Sequence, residues 1–205
     1  MIPTYQTTID CTVRILDEFT QNINESRDLF LPLKERSAIV LSQDKSIADA
    51  YLSLFEYGVW YNNADTFENE VQSGAIKKMN LKSLVLVSDV NIPADANGRY
   101  IGPNFKHEGI TVAKHIRAGL TNFIEENLPM ILYSAMHNFE EKNAIKNLSG
   151  IVIYIYPPFS IRPQKDAIQK MLLKKSEQVF KDNYEKLNDT ATRLTRAYSR
   201  VLEEK

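Results

Sequence analysis

Residues Leu84-Val85-Leu86-Val87 form an unbroken apolar run, bounded by polar residues and closed by Asp89 and Pro93. A run that short, with no polar alternation, suits a strand buried on both faces inside a parallel sheet. Ligands of open α/β sheets bind at the carboxyl ends of such strands. Asp89 stands at one of these ends, where a carboxylate serves as a phosphoryl acceptor or as a ligand for a hard cation.

The surrounding pattern supports the same architecture. From about residue 37 to residue 159, short apolar runs alternate with helical segments: Ala38 to Leu41, a helix over Ile47 to Tyr57, Val59 to Tyr61, a helix over Thr66 to Gln72, then the run before Asp89. Helical spacing returns over Ile110 to Ile116, with an extension toward Glu126, followed by a strand Met130 to Tyr133, a helix Glu140 to Asn147 and a strand Ile151 to Ile155. This βαβ alternation predicts an α/β fold with a five-stranded parallel sheet and helices on both faces. A last helix begins near Gln164 and runs without a break to the C-terminus.

Both ends of the chain extend this body. Ile9, Val13, Leu16, Phe19 and Ile23 recur at steps of three and four, which predicts an amphipathic N-terminal helix ending before Pro32. Phe180, Tyr184, Leu187, Ala191, Leu194, Tyr198 and Val201 form a heptad seam in the last helix, and Leu173 lies seven residues earlier. That coiled-coil seam needs a partner: the N-terminal helix, the same helix of a second chain in a homodimer, or the helix's own domain. The expected division is 1–34 for the N-terminal helical extension, 35–175 for the α/β domain and 176–205 for the C-terminal extension.

Composition narrows the function. A chain of 205 residues, 43% hydrophobic and 25% charged, buries one sizeable core. Its formal net charge of -1 gives no long-range attraction to nucleic acid or to an anionic membrane, so protein partners are expected. No apolar run approaches the roughly 20 residues that span a bilayer, and the N-terminus lacks a signal-peptide pattern, which points to the cytoplasm. The single cysteine, Cys11, reads as an inert buried thiol. His107, His115 and His137 lack metal-ligand spacing, no phosphate-cradling Gly-rich loop exists, and Ser134 has no His-Asp pattern around it. Nothing here marks a site of independent enzymatic turnover.

Ordered landmarks resemble the CheY-like receiver domain of bacterial two-component response regulators. Asp89-Val90-Asn91-Ile92-Pro93 resembles the phosphoacceptor motif, Gly109 to Val112 and Ile116-Arg117 the ends of the third helix, and Pro129 to Ala135 the fourth strand with its Ser-Ala pair. Gly150, Tyr154, Pro158 and Phe159 resemble the Gly, switch aromatic and Pro-Phe of the fifth strand and its exit. The resemblance covers roughly residues 37 to 175. It implies a flavodoxin-like fold, Asp89 as phosphoacceptor, Ser134 and Tyr154 as switch residues, a Mg2+ ion and a histidine kinase or phosphotransfer partner.

The departures from that pattern are specific. Two metal-binding acids are expected after the first strand, where this chain has Ser42 and Gln43; Asp44 follows one place later and would join Asp89 and Asn91 around a weakly held Mg2+. The family's Lys before Pro-Phe is replaced by Pro157, which removes a charge-assisted bond worth about 1.5–3 kcal/mol. A loop of about a dozen extra residues, Ala94 to Glu108, follows the phosphoacceptor motif and either caps the pocket or is a surface insertion. The expectation is a divergent response-regulator receiver, or pseudo-receiver, that works mainly by protein interaction with weak or lost phosphorylation. The alternative is an active phosphoacceptor in a phosphorelay; an effector enzyme or DNA-binding regulator is disfavoured because only a helix follows Phe159.

Overall fold

The computed structural model describes residues 5–97, 108–119, 128–135, 139–156 and 163–203. It divides into two compact units, one of Leu31–Lys175 and one of Met1–Phe30 with Ser176–Lys205.

The first unit is a five-stranded, all-parallel sheet in the order β2-β1-β3-β4-β5. Its strands are β1 (Ser37–Leu41), β2 (Tyr57–Tyr61), β3 (Val85–Asp89), β4 (Met130–Tyr133) and β5 (Val152–Ile155). That order is the doubly wound, CheY-like one, with its switch point between β1 and β3. The crossovers are α2 (Lys45–Leu52), α3 (Ala64–Gln72) with the short α4 (Ala75–Lys78), α5 (Glu108–Arg117) and α6 (Phe139–Lys146). Helix α7 (Lys165–Glu203) follows β5.

Register explains the continuous apolar runs. Ile39, Leu86, Met130 and Val152 align across four strands on one face, and the neighbouring row of Val40, Val87, Ile131 and Ile153 lies on the other. The first face packs against Phe67, Ile76, Ile110, Ile116 and Ile145 from the crossover helices. On the second face, Tyr51 of α2 stacks on Tyr133, and Ile168 and Leu172 of α7 are buried. Central strands are thus covered on both sides, while the edge strand β2 is half exposed.

Two local expectations are corrected. Helix α2 starts at Lys45 rather than Ile47 and stops at Leu52, not Tyr57, because the Leu54 and Phe55 amides turn back onto Tyr51 and Leu52 and the Glu56 amide bonds to the Arg36 carbonyl. The edge strand therefore begins at Tyr57, before the expected Val59.

The second unit pairs α1 (Tyr5–Asp28) with the C-terminal part of α7. Here the expected stripe is off by about one position: Ile15 is buried, whereas Val13, Leu16 and Ile23 are exposed. Apolar residues on two adjacent faces of α1 blend into one apparent stripe. Cys11 is exposed, not buried.

Candidate functional site

Asp89 ends β3 at the carboxyl edge of the sheet. Its Oδ1 accepts the Asn91 backbone N–H at 2.9 Å, and the Val90 N–H donates to the Tyr133 carbonyl at 2.8 Å, which holds the chain's exit against β4. Gly109 allows α5 to start close by: a Cβ there would meet the Asp89 carbonyl oxygen at 2.1 Å. The Asp89 carboxyl is pushed up to about 6, mainly by burial, with the Glu141 charge adding and the Asn91 N–H opposing.

The β4–β5 side of Asp89 keeps the expected groups. Ser134, fully buried just past β4, accepts from Asn91 Nδ2 at 3.4 Å. Tyr154 on β5 donates its hydroxyl to Glu141 Oε2 at 2.7 Å and also meets the Ser134 hydroxyl. Burial, then Glu141, drives the Tyr154 phenol above its usual range. The ring stacks on Tyr156 at 4.7 Å, and Lys142 Nζ sits 5.6 Å from the centre of the Tyr156 ring. Glu141, on α6, is only 2% exposed. A polar chain thus runs from Asn91 through Ser134 and Tyr154 to a buried carboxylate.

The β1 side is built differently. Ser42 is fully buried and spends its hydroxyl on the Asp44 carbonyl at 3.0 Å. Gln43 is exposed. Asp44 caps α2, its Oδ1 accepting from the Ser46 and Ile47 amides at 2.7 and 3.3 Å. On the β4 side, Tyr133 lies beside Asp89 in register and stacks on Tyr51 of α2, centroids 5.2 Å apart and rings 21° from parallel. Both phenols are driven above their usual range, by burial first and by the Asp89 charge second.

A Mg2+ ion favours near-ideal octahedral oxygen ligands with carboxylate charge. This pocket supplies the Asp89 carboxylate, the buried Asn91 Oδ1, which has no hydrogen-bond partner, and Asp44, whose Oδ1 is engaged by α2. Among the described residues no three His, Cys, Asp or Glu side chains converge. The set offers two carboxylates, one of them already engaged as the cap of α2.

Of the residues expected at the site, Asp89, Asn91, Ser134 and Tyr154 come together; Ser42 and Asp44 flank them from β1, and Gln43 turns outward. Pro157, Pro158, Phe159, His107 and His137 lie outside the described residues. His115 meets Glu68 Oε1 at 3.0 Å. At the start of the inserted loop, the Pro93 and Ala94 carbonyls accept from the first amides of α3, and Ala94 is buried. Sequence reading missed Tyr51, Tyr133 and Glu141; Tyr133 read only as the end of a strand, and Glu141 only as part of a helix.

No family model matches the sequence, and no curated protein does. Solved structures do. A yeast Spc42 trimeric coiled-coil segment fused to another protein is 13% identical, with 83% of this chain and 99% of that one covered and a TM-score of 0.47. The chemotaxis response regulator CheY4 of Vibrio cholerae is 15% identical over 70% of this chain and 98% of its own, with a TM-score of 0.37. RcsB from Salmonella enterica serovar Typhimurium, bound to promoter rprA in the presence of phosphomimetic BeF3-, is 17% identical over 83% and 87%, with a TM-score of 0.39. Among the described residues no helix is long and apolar enough to cross a membrane.

Proposed function

We propose that this chain is a receiver-type signalling module that works by binding other proteins, with phosphoryl chemistry at Asp89 weak or lost. The observation that carries this reading is the β1 end of the pocket, where a buried Ser42 and an exposed Gln43 stand in place of a pair of acids. Acyl-phosphate formation needs an ionised Asp89 whose attack is helped by a cation that offsets the phosphoryl charge. Burial and Glu141 work against that ionisation, and the donor set is short of carboxylates. Signal transfer then rests on the opposite side, where Ser134 and Tyr154 join the pocket to α6 and β5.

A second reading, phosphorylation of Asp89 by a histidine kinase or phosphotransfer protein, draws support from Ser134 and Asn91 standing beside the carboxyl. Incubation with acetyl phosphate and Mg2+, followed by intact mass and mapping of an acid-labile adduct, separates the two. Little or no adduct is expected; stoichiometric labelling of Asp89 overturns the first reading and supports the second.

A further inference from the structure

The α1/α7 unit has two unlike faces. Its helices run antiparallel: Ser176 Oγ donates to the Leu29 carbonyl at 2.7 Å and Phe30 packs edge-on against Phe180 at 5.8 Å near one end, while Arg193 Nη1 pairs with Glu18 Oε1 at 3.3 Å toward the other. Ile15 on α1 and Ser176 and Thr190 on α7 are buried. At about 100° per residue, Leu16 and Ile23 project about 80–100° from the line of Ile15, and Thr20 and Val13 about 140–160° in the same sense. Tyr184, Tyr198 and Leu202 project about 80–120° from Thr190, in the same rotational sense. In antiparallel helices, equal rotations of one sense away from the shared seam end on the same side of the pair. Glu18 and Arg193 rotate the other way, and Arg196 and Arg200 lie with them on the opposite side.

The apolar side is open in the single chain. Val13, Leu16, Ile23, Tyr184, Tyr198 and Leu202 are 46% to 60% exposed. We infer that this side is the docking surface for a second copy of the chain, the two helix pairs closing as a four-helix arrangement. Charge argues for self-association. Around a two-fold axis every side chain approaches its own copy, so a charge near the axis meets its like. Over residues 9–23 and 184–202 the residues on this side, Ile9, Val13, Leu16, Thr20 and Ile23 with Tyr184, Asn188, Ala191, Thr195, Tyr198 and Leu202, include no Asp, Glu, Lys or Arg, in a chain that is 25% charged; Glu177 follows on the same side beyond that stretch. Size agrees: about 20 helical residues span roughly 30 Å, and two helices side by side are about 20 Å wide. That area is of the order of the roughly 800 Å² per partner of a standard specific interface. The seam in α7 is thereby shared, one edge covered by α1 of the same chain and the other by the second copy. This inference does not depend on the chemistry at Asp89.

Light scattering on the full chain, over a wide concentration range, tests it. The expected mass is twice the 23.5 kDa of one chain. Val13→Glu with Leu16→Glu, and separately Tyr198→Glu, should return the mass to that of one chain with helical circular dichroism unchanged. Arg196→Glu, on the charged side, should leave the dimer intact. A wild-type chain that stays at single-chain mass throughout overturns the inference, as do apolar-face variants that remain dimeric or an Arg196→Glu variant that dissociates.

Discussion

The two sides of Asp89 are built from different chemistry. Toward β4 and β5 it faces hydroxyls and an amide joined to a buried carboxylate: Asn91, Ser134, Tyr154 and Glu141. Toward β1 stands a serine whose hydroxyl bonds its own loop, and beside the acid the Tyr133 ring of β4 stacks on Tyr51 of α2. The difference teaches that the groups around one acid can be built, and disturbed, in separable halves. Under the function proposed above, the half with Ser134 and Tyr154 serves as the relay and the other half as packing.

The comparison breaks most visibly at Tyr133. If its ring is structural filling, Tyr133→Ala should cost about 3–5 kcal/mol, as for other buried aromatics, measured by urea unfolding. Tyr133→Phe, which keeps the stack, should cost far less; similar losses for the two would shift the weight from the ring to the hydroxyl.

Asp89 gives the next effect, and its sign is opposite. A carboxyl raised from 3.8 to about 6 holds its proton more tightly when folded than when unfolded. Stability from this group is therefore full below the unfolded value and is lost as pH rises from about 4 through about 6. Asp89→Asn should stabilise the protein by about 1–3 kcal/mol at pH 7 and flatten the thermal-midpoint profile between those pH values. An unchanged profile would mean that Asp89 is not the group responsible.

Tyr154→Phe removes the phenol that donates to a carboxylate only 2% exposed, and should cost about 1–3 kcal/mol. Glu141→Gln should lower the Asp89 midpoint, followed by carboxyl carbon NMR, because a like charge is removed. No movement of that midpoint would disconnect the two halves. The smallest effect is expected at Asp44: Asp44→Ala should cost about 0.5–2 kcal/mol, the usual value of a helix cap, with Mg2+ making no difference to the loss.

Much of this was readable from the chain itself. The unbroken runs in β1, β3 and β4 announced strands covered on both faces and put Asp89 at a strand end, whereas Asn91, Ser134 and Tyr154 were named through the resemblance to the receiver family. The other half of the pocket was not readable. Tyr51 meets Tyr133 only because α2 folds over the sheet onto β4, a contact between distant segments that neither local pattern signals. Glu141 sits among charged neighbours in sequence, and only the inward Tyr154 hydroxyl makes it a buried group. Helix α1 misled for another reason: apolar residues on two faces give one broad stripe, and which edge is covered depends on where α7 lies.

The fastening of the segment after β3 has one more consequence. The Ala64 and Asp65 amides donate to the Pro93 and Ala94 carbonyls, and the Gly109 amide donates to the Val90 carbonyl at 3.2 Å. Both ends of the insertion are therefore anchored within a few residues of Asp89. A substitution that disturbs either anchor would thus act on the same stretch of backbone that carries the acid.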